Sequence, residues 1–227
     1  MNMLLLFNTG FTLFLVLGLM GIGLPMVSFL TKKSKSDIPK WILSFALGTV
    51  IGAMIIFGAA CLHMLHAKFF AFVHFLLIGS ALHALYVIAR PLSAHATQYW
   101  KACCRSPLRF FLCLGLLLTA GAVLLLSSTP PFYKDVLVYH LTVPKSLLSS
   151  QGFVFTPNNI YAYFPMLIEM LYMYALHSTM TIAPKLLHYS FYLFSIVIAV
   201  HTYRMFVHTN HALFLTLCFA TTPTLVF

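Results

Sequence analysis

The amino-acid sequence predicts an all-α polytopic membrane protein: a transmembrane helical bundle with one extracytoplasmic loop that bears a short amphipathic surface helix. Three observations predict it. Hydrophobic residues make up 61% of the 227 and charged residues 7%, whereas a soluble domain is roughly a quarter charged. Apolar runs near the length of about 20 residues that crosses a bilayer recur along the chain. One stretch, 129–164, cannot be a membrane helix and stands between apolar runs on both sides.

The elements follow in order. The first span is expected over 4–30, where Gly18, Gly21, Gly23 and Pro25 signal close helix packing or a kink. A short basic loop, TKKSKSDIPK, leads to a second span at 41–63 that opens on the interfacial aromatic Trp41. Its Gly48 and Gly52 form a Gly-xxx-Gly pair, a helix-contact signal. A turn near 66–68 precedes a third span at 69–89. The polar stretch 90–109 reads as a loop with Pro91 and Pro107 as breakers. The fourth span is expected at 110–126. A fifth begins at Pro165, a favourable first helical position, and runs to 182; a sixth covers 186–207. The last apolar run starts near Ala212 and stops at Phe227 with TTP inside it, which points to the N-terminal part of a longer protein or a truncated product.

The formal charge is +10. Basic residues at span ends are topology signals and headgroup contacts, so the partner they imply is the lipid bilayer and not nucleic acid. With the N-terminus outside, the inner loops hold Lys32, Lys33, Lys35, Lys40, Arg90, Lys101, Arg105, Arg109 and Lys185. The outer side then holds Lys68, Lys134, Lys145 and Arg204, which completes the 13. That bias puts 129–164 outside the cytoplasm. None of the five cysteines falls in the loop, so no disulfide framework is implied.

The loop is where chemistry concentrates. The chain has three acidic residues, Asp37, Asp135 and Glu169, and two lie in or beside it. A carboxylate next to a membrane is costly unless it is hydrated, paired or used. Pro130 and Pro131 end the fourth span. From Asp135 to Leu148 the pattern is helical and amphipathic, with Asp135 at the favourable N-terminal end and Tyr139 one turn on. Gln151 and Gly152 end that helix, and FTPNNIYAYFP returns to the membrane as a turn-rich segment. Glu169 is expected to pair with Lys145 or Lys134.

The succession Asp135, Tyr139-His140, Pro144-Lys145, Gly152, Pro157-Asn158-Asn159, Tyr161, Phe164-Pro165 and Glu169-Met170-Leu171-Tyr172 resembles the first outer loop of bacterial GT-C type glycosyltransferases. These polytopic enzymes include dolichyl-phosphate-mannose protein mannosyltransferases and lipid A aminoarabinose transferases. The resemblance covers about forty residues of the 227. It implies a sugar donor linked to a polyprenyl phosphate, an acceptor outside the cytoplasm, inversion at the anomeric centre and an integral location in a bacterial inner membrane. Carried over, Asp135 would be the general base that takes the acceptor hydroxyl's proton, or would orient that hydroxyl. Tyr139, His140, Lys145, Asn158, Asn159, Tyr161 and Glu169 would bind substrate, with His140 and Lys145 facing the donor phosphate. Many family members carry this loop after the first span, whereas four spans precede it here. The implied division is 1–128 with four N-terminal transmembrane helices, 129–164 as the catalytic-type loop, and 165–227 with two further helices and a truncated seventh.

Two other classes remain open on sequence. A transporter would need ionisable residues within the spans, and spans one to four offer only His63, His74 and His83. A non-catalytic scaffold or a gene remnant fits the abrupt end. No cofactor is evident. A divalent metal has no support, because His63-x-x-His66 would put two imidazoles on one helix face with only Cys61 nearby.

Overall fold

The computed structural model describes residues 2–31, 40–103, 106–131, 136–155, 157, 159–163, 166–178 and 182–222. The described residues form α1 (Asn2–Leu30), α2 (Lys40–Cys61), α3 (Ala67–Cys103) and α4 (Pro107–Ser127). A wide π-type turn (Val136–Leu141) then leads into α5 (Thr142–Ser149), and a 3₁₀ turn (Ile160–Tyr163) precedes α6 (Leu167–Ser178), α7 (Ile182–Phe206) and α8 (Thr209–Ala220). No strand occurs among them. Five helical segments are long and apolar enough to cross a membrane: 3–30, 40–61, 67–87, 107–127 and 182–206. The chain is thus an all-α, multi-pass membrane protein.

Hydroxyl groups on the long helices find partners at home. Thr12, Ser44, Thr49, Thr119 and Thr216 each donate to a carbonyl four residues earlier, at 2.7–2.8 Å. That arrangement satisfies the donor of each of these five hydroxyls within its own helix. α4 starts three residues before the expected 110: the Ser106 side chain accepts from the Arg109 amide at 3.3 Å, and Pro107, expected as a breaker, takes the first helical position.

α1 is the centre of the main core. On one side Gly18 and Gly21 face α3, where Gly21 lies so close to the Ser80 carbonyl that a Cβ would overlap it. The Ser80 hydroxyl donates to the Gly18 carbonyl at 3.0 Å. On the other side Gly23 meets the Ser44 carbonyl of α2, while Gly48 of α2 receives the Leu19 carbonyl. Gly52 of α2 faces the Leu19 side chain, so the Gly-xxx-Gly pair does seat α1. Leu15, Leu19, Phe45, Ile56, Leu77, Val143, Leu147 and Met170–Tyr174 fill the core around these contacts.

A second, smaller cluster joins α4, α7 and α8 through Val123, Tyr192 and Ala220. The Tyr192 hydroxyl donates to the Ala220 carbonyl at 3.1 Å. α7 runs antiparallel to α4. At one end the Lys185 ammonium donates to the carbonyls of Leu126 and Thr129 at 2.9 and 2.7 Å. At the other, Arg109 Nε donates to Asn210 Oδ1 at 2.8 Å, just past the end of α7.

The helices depart from the expected boundaries in two places. α3 runs on through Pro91 to Cys103, where a loop is expected. Proline in a helix interior costs about 3 kcal/mol; Ala89, Leu92, Ala94, Ala96 and Gln98 around it are good helix formers. α6 is only 12 residues long, or about 18 Å at 1.5 Å per residue, against a hydrocarbon core of about 30 Å. The expected fifth span is therefore represented by a helix too short to cross. Lys185, assigned above to the inner face, lies beside Thr129 where the loop begins.

Candidate functional site

The loop after α4 is shaped by Pro144. Proline has no amide hydrogen and its ring crowds the carbonyl four residues back, so a regular helical ladder cannot run through 140–144. The backbone opens instead into the wide turn at Val136–Leu141, which the Thr142 hydroxyl helps close by donating to the Leu137 carbonyl. α5 then starts at Thr142 with Pro144 in its first turn. Leu141, Val143, Pro144 and Leu147 are buried against the bundle. The amphipathic helix expected from 135 to 148 is thus a turn followed by a helix of 8 residues.

The far end of α5 is fastened to the turn between α2 and α3. Gln151 has a φ of 58° and His63 a φ of 53°. The Leu65 amide donates to the Gln151 carbonyl at 3.1 Å, and the Phe153 amide to the Ala60 carbonyl at 3.3 Å. Between them Gly152 sits flat against the His63 ring and the Ala60 carbonyl, with no room for a Cβ. His63 and His66 therefore do not share a helix face, because α2 has ended at Cys61 and α3 begins at Ala67. Nδ1 of His66 instead accepts from the Phe69 amide at 3.1 Å, at the start of α3.

Glu169 is the acidic residue among those described. It stands one turn into α6, and its side chain is 9% exposed. Of the two lysines expected as its partner, Lys145 is not in contact with it and Lys134 lies outside the described residues; His140 Nδ1 lies 2.6 Å from Glu169 Oε1. The correction has a simple cause. The wide turn swings His140 inward, while Lys145 is exposed on α5. A buried carboxylate keeps its charge only when a donor reaches it, and the imidazole is the donor at hand. The His140 side chain is 33% exposed, and the Tyr139 ring packs over it with centroids 3.9 Å apart. Nδ2 of Asn159 donates to the Val138 carbonyl at 3.0 Å and ties the returning segment to the turn.

A second pair adjoins the first. Tyr172 is three residues past Glu169 and so on the same helix face. Its hydroxyl lies 3.1 Å from His188 Nδ1 on α7. The loop is thus joined to α6 through His140 and Glu169, and α6 to α7 through Tyr172 and His188. Sequence reasoning missed His188; the signal for it was the i, i+3 spacing of Glu169 and Tyr172, which points two polar groups at one neighbour.

No family model, curated protein or solved structure matches this chain. Of the residues that the sequence singles out, the structure brings together His140 and Glu169, with Tyr139 and Asn159 alongside. It leaves Lys145 exposed. Asp135 and Asn158, and the side chain of Tyr161, lie outside the described residues. Among the described residues no group of three or more His, Cys, Asp or Glu could hold a metal ion. Of the two histidines of the third span, His74 is engaged in packing, with Nδ1 2.6 Å from the Tyr174 hydroxyl and its ring against that of Phe14, whereas His83 is exposed.

Proposed function

We propose that this chain is a membrane glycosyltransferase of the GT-C type. It would move a sugar from a polyprenyl-phosphate donor to an acceptor outside the cytoplasm, with inversion at the anomeric carbon. The observation that carries this reading is the His140–Glu169 contact. It sets a buried carboxylate and a part-open imidazole at the junction between the loop and the bundle. Such groups serve proton transfer and hydroxyl recognition, where positioned acid–base help contributes roughly 10²–10⁴ in rate. Asp135, five residues before His140, would take the acceptor hydroxyl's proton or orient it. Lys145 offers a point charge for a phosphate, while Asn158, Asn159 and Tyr161 supply donors and acceptors for sugar hydroxyls.

The charge distribution supports an extracytoplasmic loop. With α6 not crossing and α7 antiparallel to α4, Lys185 moves to the loop side and Arg204 to the other. The inner tally stays at nine and the outer at four, out of 13. An excess of Lys and Arg marks the cytoplasmic face, here that of a bacterial inner membrane.

The test is transfer of radiolabel from undecaprenyl-phosphate-linked mannose or aminoarabinose by the protein in liposomes. Asp135→Asn should leave the protein folded and abolish transfer. Transfer at the unaltered rate removes Asp135 from the mechanism.

A further inference from the structure

We infer that Glu169 is a positioning residue that makes His140 the proton acceptor for a hydroxyl-bearing substrate. This rests on the transferase reading and assigns the acceptor end of its site.

The geometry has a closed end and an open end. Glu169 is 9% exposed and His140 33% exposed. A carboxylate accepts hydrogen bonds, and in this assignment the hydrogen that Glu169 takes across 2.6 Å is the one on Nδ1 of His140. The neutral imidazole then keeps its lone pair on Nε2. Half-buried on the wide turn and packed at a tilt against the Tyr139 ring, with centroids 3.9 Å apart, the imidazole is held in place, and the carboxylate sets its tautomer as well as its plane. On α7, His188 Nδ1 lies 3.1 Å from the Tyr172 hydroxyl.

The same arrangement selects the substrate class. An ionised carboxylate with a neutral imidazole carries a net negative charge. An anionic phosphate placed against Nε2 would meet a lone pair, with the carboxylate behind it. A hydroxyl has the opposite character and donates into that lone pair. His140 is thereby assigned to the acceptor alcohol, and the donor phosphate to other groups, in contrast with the expectation from the family resemblance. In the step itself the acceptor O–H bond breaks and its proton goes to Nε2. The oxygen forms a bond to the anomeric carbon, whose bond to the phosphate oxygen breaks. The electron pair leaves on the polyprenyl phosphate.

The experiment uses the whole chain in liposomes with undecaprenyl-phosphate-linked mannose and aminoarabinose as donors and a membrane extract as acceptor source. Glu169→Gln should lower kcat about tenfold or more with donor KM unchanged, and Glu169→Asp should recover much of the loss. His140→Gly should lose about 10²-fold or more, and added imidazole should restore part of it. A purely structural histidine would not respond to imidazole. The dyad is overturned if His140→Gly keeps kcat within twofold, or if imidazole restores nothing. A second measurement needs no turnover: ¹⁵N spectra of the His140 ring should show the Nδ1–H tautomer in the parent protein and lose it in Glu169→Leu. An Nε2–H tautomer in the parent overturns the assignment. If neither donor transfers label while the Nδ1–H tautomer is present, the transferase reading fails and the dyad stands.

Discussion

His140 Nδ1 and Glu169 Oε1 are 2.6 Å apart although 29 residues separate them in the chain. This contact ties the loop to the short helix α6, and the two partners are unequal. Removing His140 strands a carboxylate that is 9% exposed, whereas removing the carboxylate leaves an imidazole that is a third open to its surroundings. His140→Ala should therefore destabilise the protein by about 3 kcal/mol and Glu169→Gln by about 1 kcal/mol. Reversible unfolding in mixed micelles measures both; equal costs would contradict the asymmetry.

The crossing number of the second half of the chain can be read chemically. One passage, α7, separates Ser149 from His208 if α6 does not cross. In a cysteine-free background, Ser149→Cys and His208→Cys should react with a membrane-impermeant thiol reagent from opposite faces. Reaction from the same face would mean that α6 is a full span.

Glycines on α2 give a paired control. Gly48 receives the Leu19 carbonyl with no space for a Cβ, whereas Gly58 has nothing within 4 Å. Gly48→Ala should cost about 1–3 kcal/mol through overpacking. Gly58→Ala should be neutral or stabilise by up to about 1 kcal/mol through helix propensity. Thermal melting in detergent separates the two signs.

Gly152 fastens the loop to the α2–α3 turn against His63. Gly152→Ala should push that contact apart and raise amide hydrogen exchange at Leu65 and Phe153, whose amides bond across it. Exchange at the Tyr192–Ala220 cluster should stay as before.

Much of the fold was legible because lipid imposes one rule: a spanning segment must be helical and about 20 residues long. The glycines of α1 and α2 were legible for the same reason, since close backbone approach has few other signatures. The length of α6 was not. Ile182 and Ala183 keep the run apolar, and composition alone does not show where a helix stops and another begins. The site was half legible. His140 and Glu169 both stood out, but charge alone favours lysine as the partner of a carboxylate, and only the wide turn before Pro144 brings the imidazole inward. His63 and His66 misled because their spacing has meaning only on a continuous helix, and α2 ends two residues before His63.

Gly21 and Gly23 are two residues apart and so point to nearly opposite sides of α1, one toward α3 and the other toward α2. Spinning the helix about its long axis would lift both glycines from their seats at once and drive bulkier neighbours into carbonyl oxygens on both sides. α1 is consequently keyed like a splined shaft: its orientation stays set while helices at the periphery shift.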